Sequence, residues 1–250
     1  MDDKRYFNVP VQLLQGFITN TRKCLNDIFD YAIYNHAFNH ISEGKDLTRI
    51  RAALNYFRVT TRNENVTLTN GENLFNSIPE DSPKVGINKD VYFDFYKNEK
   101  SDFEKACFLA FLALKSIINK KAYCRITNAY LLARMDGKTH SVDNIEDLSP
   151  DIQRFANEYQ MKKIKTELRN NWKLVFYGRY TRGCYYSFTL QLDELVFQAE
   201  KKRKSTIDKI YKEQEQQAVY RAMERLYKGN GNSPKNDHNT TYNKGISEPF

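Results

Sequence analysis

The sequence predicts a mainly α protein with small β-hairpins (α+β): two similar modules in tandem, a charged C-terminal helix and a disordered tail. Three observations lead there. Residues 160–192 read as a helix running straight into a two-stranded hairpin. Residues 9–33 can be laid on residues 87–111 at a constant offset of 78, apolar on apolar, as two copies of one module would allow. From residue 229 onward the chain turns polar and rich in Asn and Gly, a composition unable to bury a core.

Length and composition set the bounds. A chain of 250 residues can hold one large or two small domains. With 17 Tyr and 16 Phe it is no disordered polyelectrolyte, and its net charge of +8 and pI near 9.1 suit nucleic acid or an acidic membrane surface. Cys24, Cys107, Cys124 and Cys184 are scattered without a CxxC, which reads as free thiols in a reducing cytosol. MDDKRYFNVP lacks the apolar centre of a signal peptide. The longest apolar run, residues 106–114, falls far short of the roughly 20 residues a spanning helix needs. A cytoplasmic, DNA- or nucleoid-associated protein without a membrane partner is expected.

The first module covers residues 1–84. Helices are expected over 24–41 and 47–57, and Asn70-Gly71 reads as a turn opening a short helix to Ile78. No room remains before Pro83 for a long basic hairpin, so any wing here is degenerate. With net charge zero this module suits dimerisation, or packing on its twin, better than strong DNA contact. Arg49, Arg51, Arg58 and Arg62 read first as solvated arginines and second as phosphate contacts.

The second module covers residues 85–199. Ser101-Asp102 can cap a helix carrying Phe103, Ala106, Cys107, Ala110, Phe111 and Leu114 on one face. Tyr123-Cys124-Arg125-Ile126 is a short extended lead. Thr127 or Asn128 then caps a helix over 129–135 that stops at Asp136-Gly137. A polar connection, 138–150, follows. Ile152, Phe155, Ala156 and Tyr159 extend an apolar stripe into a basic helix, in which Met161, Ile164, Leu168 and Trp172 face the core. Past Trp172 the period falls from 3.6 to 2, giving strands over 174–177 and 185–190, with Gly183 able to take a positive φ in the turn. Residues 200–228 form a charged helix from Ser205 onward, with Ile207, Tyr211, Ala218, Ala222 and Leu226 on a thin stripe. That stripe could cross back over the core or pair with a second copy, so a homodimer stays open. Residues 229–250 are the tail.

Charge singles out one stretch. Residues 160–183 carry seven Lys and Arg against Glu167 alone, a net +6 out of the chain's +8. Residues 1–84 and 85–159 are each neutral, and 184–250 carry +2. Such concentration is an electrostatic footprint for phosphate, since solvated faces usually mix signs.

ITNAYLLARMDG followed by MKKIKTELRNNWKLVFYGRYTRGCYYSF resembles the winged helix-turn-helix superfamily over residues 101–192. The resemblance implies a support helix opening on Thr-Asn, a recognition helix entering the major groove, and a wing. The thirteen residues between Gly137 and Asp151 depart from the short turn of that family. On this reading the DNA-binding residues are Lys162, Lys163, Lys165, Thr166, Arg169, Asn170, Lys173, Arg179 and Arg182. Arg and Asn suit base edges, lysines suit phosphate, and the wing arginines suit the backbone or minor groove.

No catalytic residue, metal site or cofactor is predicted. GxSxG, Walker and GxGxxG patterns are absent. His36 and His40 stand four apart, but Ala37 occupies the place of the HExxH glutamate and no third ligand is evident. Asp90 and Asp94, or Asp143, Glu146 and Asp147, read as solvated carboxylates before nuclease ones. The expected partner is double-stranded DNA, with no small-molecule substrate. Two tandem winged helices in a basic protein resemble, loosely, the replication initiators of plasmids, phages and other mobile elements. A transcriptional regulator and a module gripping an acidic protein are the alternatives.

Overall fold

The computed structural model describes residues 5–59, 63–178 and 183–229. The protein is mainly helical, with one two-stranded and one three-stranded antiparallel sheet. Its elements in order are β1 (Tyr6–Pro10), α1 (Thr21–His40), α2 (Asp46–Tyr56), α3 (Glu64–Ser77), β2 (Lys84–Asn88), α4 (Lys89–Lys97), α5 (Asp102–Ile118), β3 (Cys124–Ile126), α6 (Asn128–Met135), α7 (Pro150–Gln153), α8 (Glu158–Asn171), β4 (Val175–Tyr177), β5 (Cys184–Ser187) and α9 (Leu192–Gly229). Contacts divide the chain into two units, Met1–Ala199 and Glu200–Phe250.

In the first unit β1 and β2 pair antiparallel with Asn8 opposite Gly86. Phe7, Val9, Val85 and Ile87 alternate inward, as a half-buried ribbon requires. The offset of 78 that lays residues 9–33 on residues 87–111, extended three residues back, carries β1 onto β2 and Asn8 onto Gly86. Each strand thus pairs with its own counterpart, about a local two-fold axis at that residue pair. The expected boundary after residue 84 falls inside β2, and one apolar core takes side chains from both sides of it. Phe7 packs its ring 4.8 Å from Phe57 and 4.9 Å from Tyr92, whose hydroxyl donates to the Leu25 carbonyl at 2.9 Å.

Helix α5 is capped as its sequence predicts: the Ser101 hydroxyl accepts from the Glu104 N–H, and the Glu104 carboxylate accepts from the Ser101 N–H. It packs against α6, α8 and β2. Thr127 caps α6, and Gly137 ends it at φ +73°, close against the Val11 carbonyl. Within the long connection, the buried Asp136 carboxylate accepts from the Ser149 N–H at 3.0 Å and hydroxyl at 2.5 Å, while Leu148 sinks into the core. The Arg134 guanidinium, also buried, donates to the Tyr130 hydroxyl and the Thr139 carbonyl. These bonds pin the two ends of the connection to α6, while Asp143, Glu146 and Asp147 between them are exposed, as a solvated loop was expected to be.

Several expectations need correction. Asn70-Gly71 is no turn: α3 runs unbroken through it, because Gly71 lets α3 lie directly on α1. A Cβ there would stand 2.6 Å from the Asp30 carbonyl oxygen and 2.5 Å from Tyr34 Cβ. The stripe 152–159 is not one helix with α8. Chain direction changes after α7, and Asn157 starts α8 afresh by accepting from the Gln160 N–H. Tyr159 is accordingly 68% exposed instead of buried. β5 stops at Ser187 because its hydroxyl oxygen accepts from the Thr189 and Leu190 N–H groups. α9 begins at Leu192, thirteen residues before the expected start at Ser205, since Leu195 and Ala199 are buried on its first turns. The tail from residue 230 lies outside the described residues.

Gly71→Ala is expected to destabilise the protein by about 1–3 kcal/mol, because backbone stands in the way of the added methyl. Thermal melting followed by circular dichroism would show a fall of several degrees; an unchanged melting temperature would mean α1 and α3 can separate without cost.

Candidate nucleic-acid interface

Helix α8 owes its orientation to Met161, Ile164 and Leu168, all buried. At about 100° per residue, these three turn Tyr159, Lys162, Lys163, Thr166 and Asn170 to the opposite face, where all are exposed. Arg169 lies exposed on one flank, its guanidinium 4.1 Å from the Phe176 ring centre on β4. Among the described residues no ion pair joins Lys162, Lys163, Lys165, Arg169 or Lys173 to a carboxylate. Glu167, the lone acid of the basic stretch, instead accepts from the Asn171 amide at 2.6 Å.

Lys165 departs from the expected set. Its ammonium is half-buried, donates to Asn128 Oδ1 at 3.0 Å and lies 5.8 Å from the Tyr186 ring centre. Burial holds its pKa below the ordinary lysine value. It therefore joins the start of α6 to α8 and β5, and is withdrawn from the outward face. The Thr166 hydroxyl is also engaged, donating to the Lys162 carbonyl of its own helix at 2.9 Å. Lys163 sits over Phe103 at 4.9 Å and Tyr159 at 5.6 Å. Lys162, Asn170 and Lys173 stay exposed. Arg179 and Arg182 lie outside the described residues.

Helix α8 ends abruptly. The N–H groups of Trp172 and Leu174 both return to the Leu168 carbonyl, and Lys173 takes a left-handed φ of 57°. The reversal sends the chain into β4, which pairs with β5; β5 in turn pairs with β3, so the sheet order is β3-β5-β4. The sequence showed β3 as an extended lead without showing that it completes this sheet. It also missed Tyr159 on the outward face, although Asn157 followed by Gln160 three residues later is a helix-start signal.

The other candidates are used structurally. Arg51 grips Glu64 through two bonds of 2.7 and 2.8 Å, and Arg49 donates to the Ser42 carbonyl. Arg62 lies outside the described residues. Asp94 pairs with Lys100 at 2.7 Å. His36 stacks on Tyr56 at 4.3 Å, with the His40 ring 5.0 Å away. Among the described residues no three His, Cys, Asp or Glu side chains gather as a metal site would require. Burial pushes the Cys24 thiol up to about 11 and the Cys107 thiol up to about 12, so neither supplies a thiolate at neutral pH. No helix among the described residues is long and apolar enough to cross a membrane.

Two outcomes follow from this geometry. Lys173→Gly relieves a left-handed backbone and should raise stability by about 1 kcal/mol in a urea titration; a loss would show that the lysine stem packs usefully. Burial first, then His40, lowers the His36 pKa below 6.5. The unfolded state thus binds more protons between that lowered value and 6.5, so stability should rise with pH across this window and level off above it. His36→Gln should flatten that rise; an identical slope in the variant would assign it to another group.

Comparison with known protein families, with curated proteins and with solved structures gives no match for this chain.

Proposed function

We propose that the chain binds double-stranded DNA sequence-specifically, as a replication initiator of a plasmid, phage or other mobile element would. In this reading α5, β3, α6, α8 and the β4–β5 hairpin make a winged helix-turn-helix, and α8 is its recognition helix. The supporting observation is that the outward face of α8 carries cations unpaired with any described carboxylate, between residues that can read bases. Lys162, Lys163 and Lys173 would meet phosphates. Asn170, exposed and uncommitted, would address an adenine edge, and Arg169 a guanine edge or a phosphate beside the wing. Lys165 would position α6 against α8 without touching DNA.

Helix α3 of the first half has no equivalent of this face. Helix α3 contains no Lys or Arg, and Glu64 and Glu72 are its only charges. Phosphate contact is therefore proposed for α8 and not for α3.

If about five phosphates are neutralised, log K should fall against log salt with a slope of about −4 to −5. Lys162→Glu combined with Lys163→Glu should weaken duplex binding at least about a hundredfold in a gel-shift assay, with little change in melting temperature because both are exposed. Equal affinity of variant and wild type would remove α8 from the interface. Sequencing of bound genomic fragments separates the roles: iterated sites fit an initiator, and a single palindrome fits a transcriptional regulator.

A further inference from the structure

We propose that the outer face of the β3-β5-β4 sheet is a stacking platform for unpaired bases, giving the chain a site for single-stranded nucleic acid separate from α8. The inference goes beyond the duplex reading and stands without it.

The pleat sorts the sheet into two faces. Ile126, Phe176, Cys184 and Tyr186 lie on the inner one, where Lys165 and Arg169 of α8 reach the rings of Tyr186 and Phe176. The residues between them lie on the outer one. Arg125 stands directly opposite Tyr185 in the β3–β5 register, and Tyr177 directly opposite Tyr185 in the β4–β5 register. Arg125, Tyr185 and Tyr177 therefore form a single row across three strands, at the roughly 4.8 Å pitch of a sheet. Tyr123, one residue before β3, brings a further ring to 6.2 Å from that of Tyr185. Arg125 is exposed, and the three tyrosines are each partly open to solvent.

Charge supplies the second half of the argument. Neither residues 119–135 nor residues 168–192 contain a single Asp or Glu, and these two stretches hold all three strands and their flanks. Lys120 and Lys121 are exposed beside Tyr123, and Lys173 is exposed just before β4. Tyrosines in a row on strands whose own segments carry no Asp or Glu, with lysines in the flanking sequence, fit a ligand combining flat π faces with a phosphate chain. A duplex keeps its base faces stacked inside, so only unpaired bases can offer them. The occupant is thus a single strand, and its sugar is left open by this chemistry.

The test uses the full-length protein and fluorescently labelled oligonucleotides of about 20 nucleotides, long enough for one site: oligothymidylate, oligouridylate and a duplex. Fluorescence anisotropy should show binding of the single strands. Tyr185→Leu, which fills the same place without a π face, should weaken it at least about tenfold, while Tyr185→Phe retains it. Lys162→Glu with Lys163→Glu should leave single-strand binding in place while duplex binding falls, which keeps the two sites distinguishable. Stronger binding of either sugar type supports the platform and names the strand. Oligonucleotides carrying 5-bromodeoxyuridine, irradiated with the wild type, should crosslink to Tyr123, Tyr177 or Tyr185. Wild-type affinity in Tyr185→Leu, equal losses in the Phe and Leu variants, or crosslinks confined to α8 would each overturn the proposal.

Discussion

Three apolar side chains hold the whole arrangement in place. Met161, Ile164 and Leu168 bury one face of α8, and the rotation of every other residue on that helix follows from them. Each such side chain contributes about 1.5–3 kcal/mol when fully buried. Turning α8 by one residue, about 100°, would give up most of that and draw charged groups toward the core. The outward display of Lys162, Lys163 and Asn170 is thus a by-product of packing. Cap and exit are fixed at the two ends, by Asn157 and by the paired N–H groups returning to the Leu168 carbonyl.

Three cations of α8 lie against rings, and among the described residues no ion pair joins them to a carboxylate. Lys163 meets Phe103, Lys165 meets Tyr186 and Arg169 meets Phe176. A cation–π contact orients a charged group through the ring quadrupole without cancelling its charge. An ion pair would orient it equally well and neutralise it, as Glu64 does for Arg51 in the first half. The charge difference itself lies in composition: residues 1–84 are neutral, whereas residues 160–183 carry +6. Mutual repulsion among these cations is moderated by water and salt over a Debye length of about 8–10 Å.

Local signals carried a good part of this in the sequence. Ser101 and Thr127 cap the helices they were expected to cap, Gly137 ends α6, and the change of period past Trp172 marks the passage from α8 to β4. Each depends on a few neighbouring residues, so the chain announces it locally. Asn70-Gly71 failed for the opposite reason. That dipeptide favours a turn in isolation, yet contact with α1, forty residues earlier, makes Gly71 the residue that permits a close helix crossing. Tyr159 failed because apolar spacing alone cannot reveal that α7 and α8 are two helices with a change of direction between them.

By itself the sequence determined the fold class, the position of the basic stretch and the order of elements around it, because periodicity, caps and charge are properties of short segments. Tertiary structure alone decided that Lys165 turns in from the outward face, that β1 closes on β2 across the middle of the chain, and that β3 completes a sheet with one tyrosine-lined face. Those outcomes depend on residues far apart in sequence sharing one core. No local pattern encodes that Lys165 will find Asn128 or that Arg125 will stand opposite Tyr185, since both pairings form only once helices and strands from distant parts of the chain are packed.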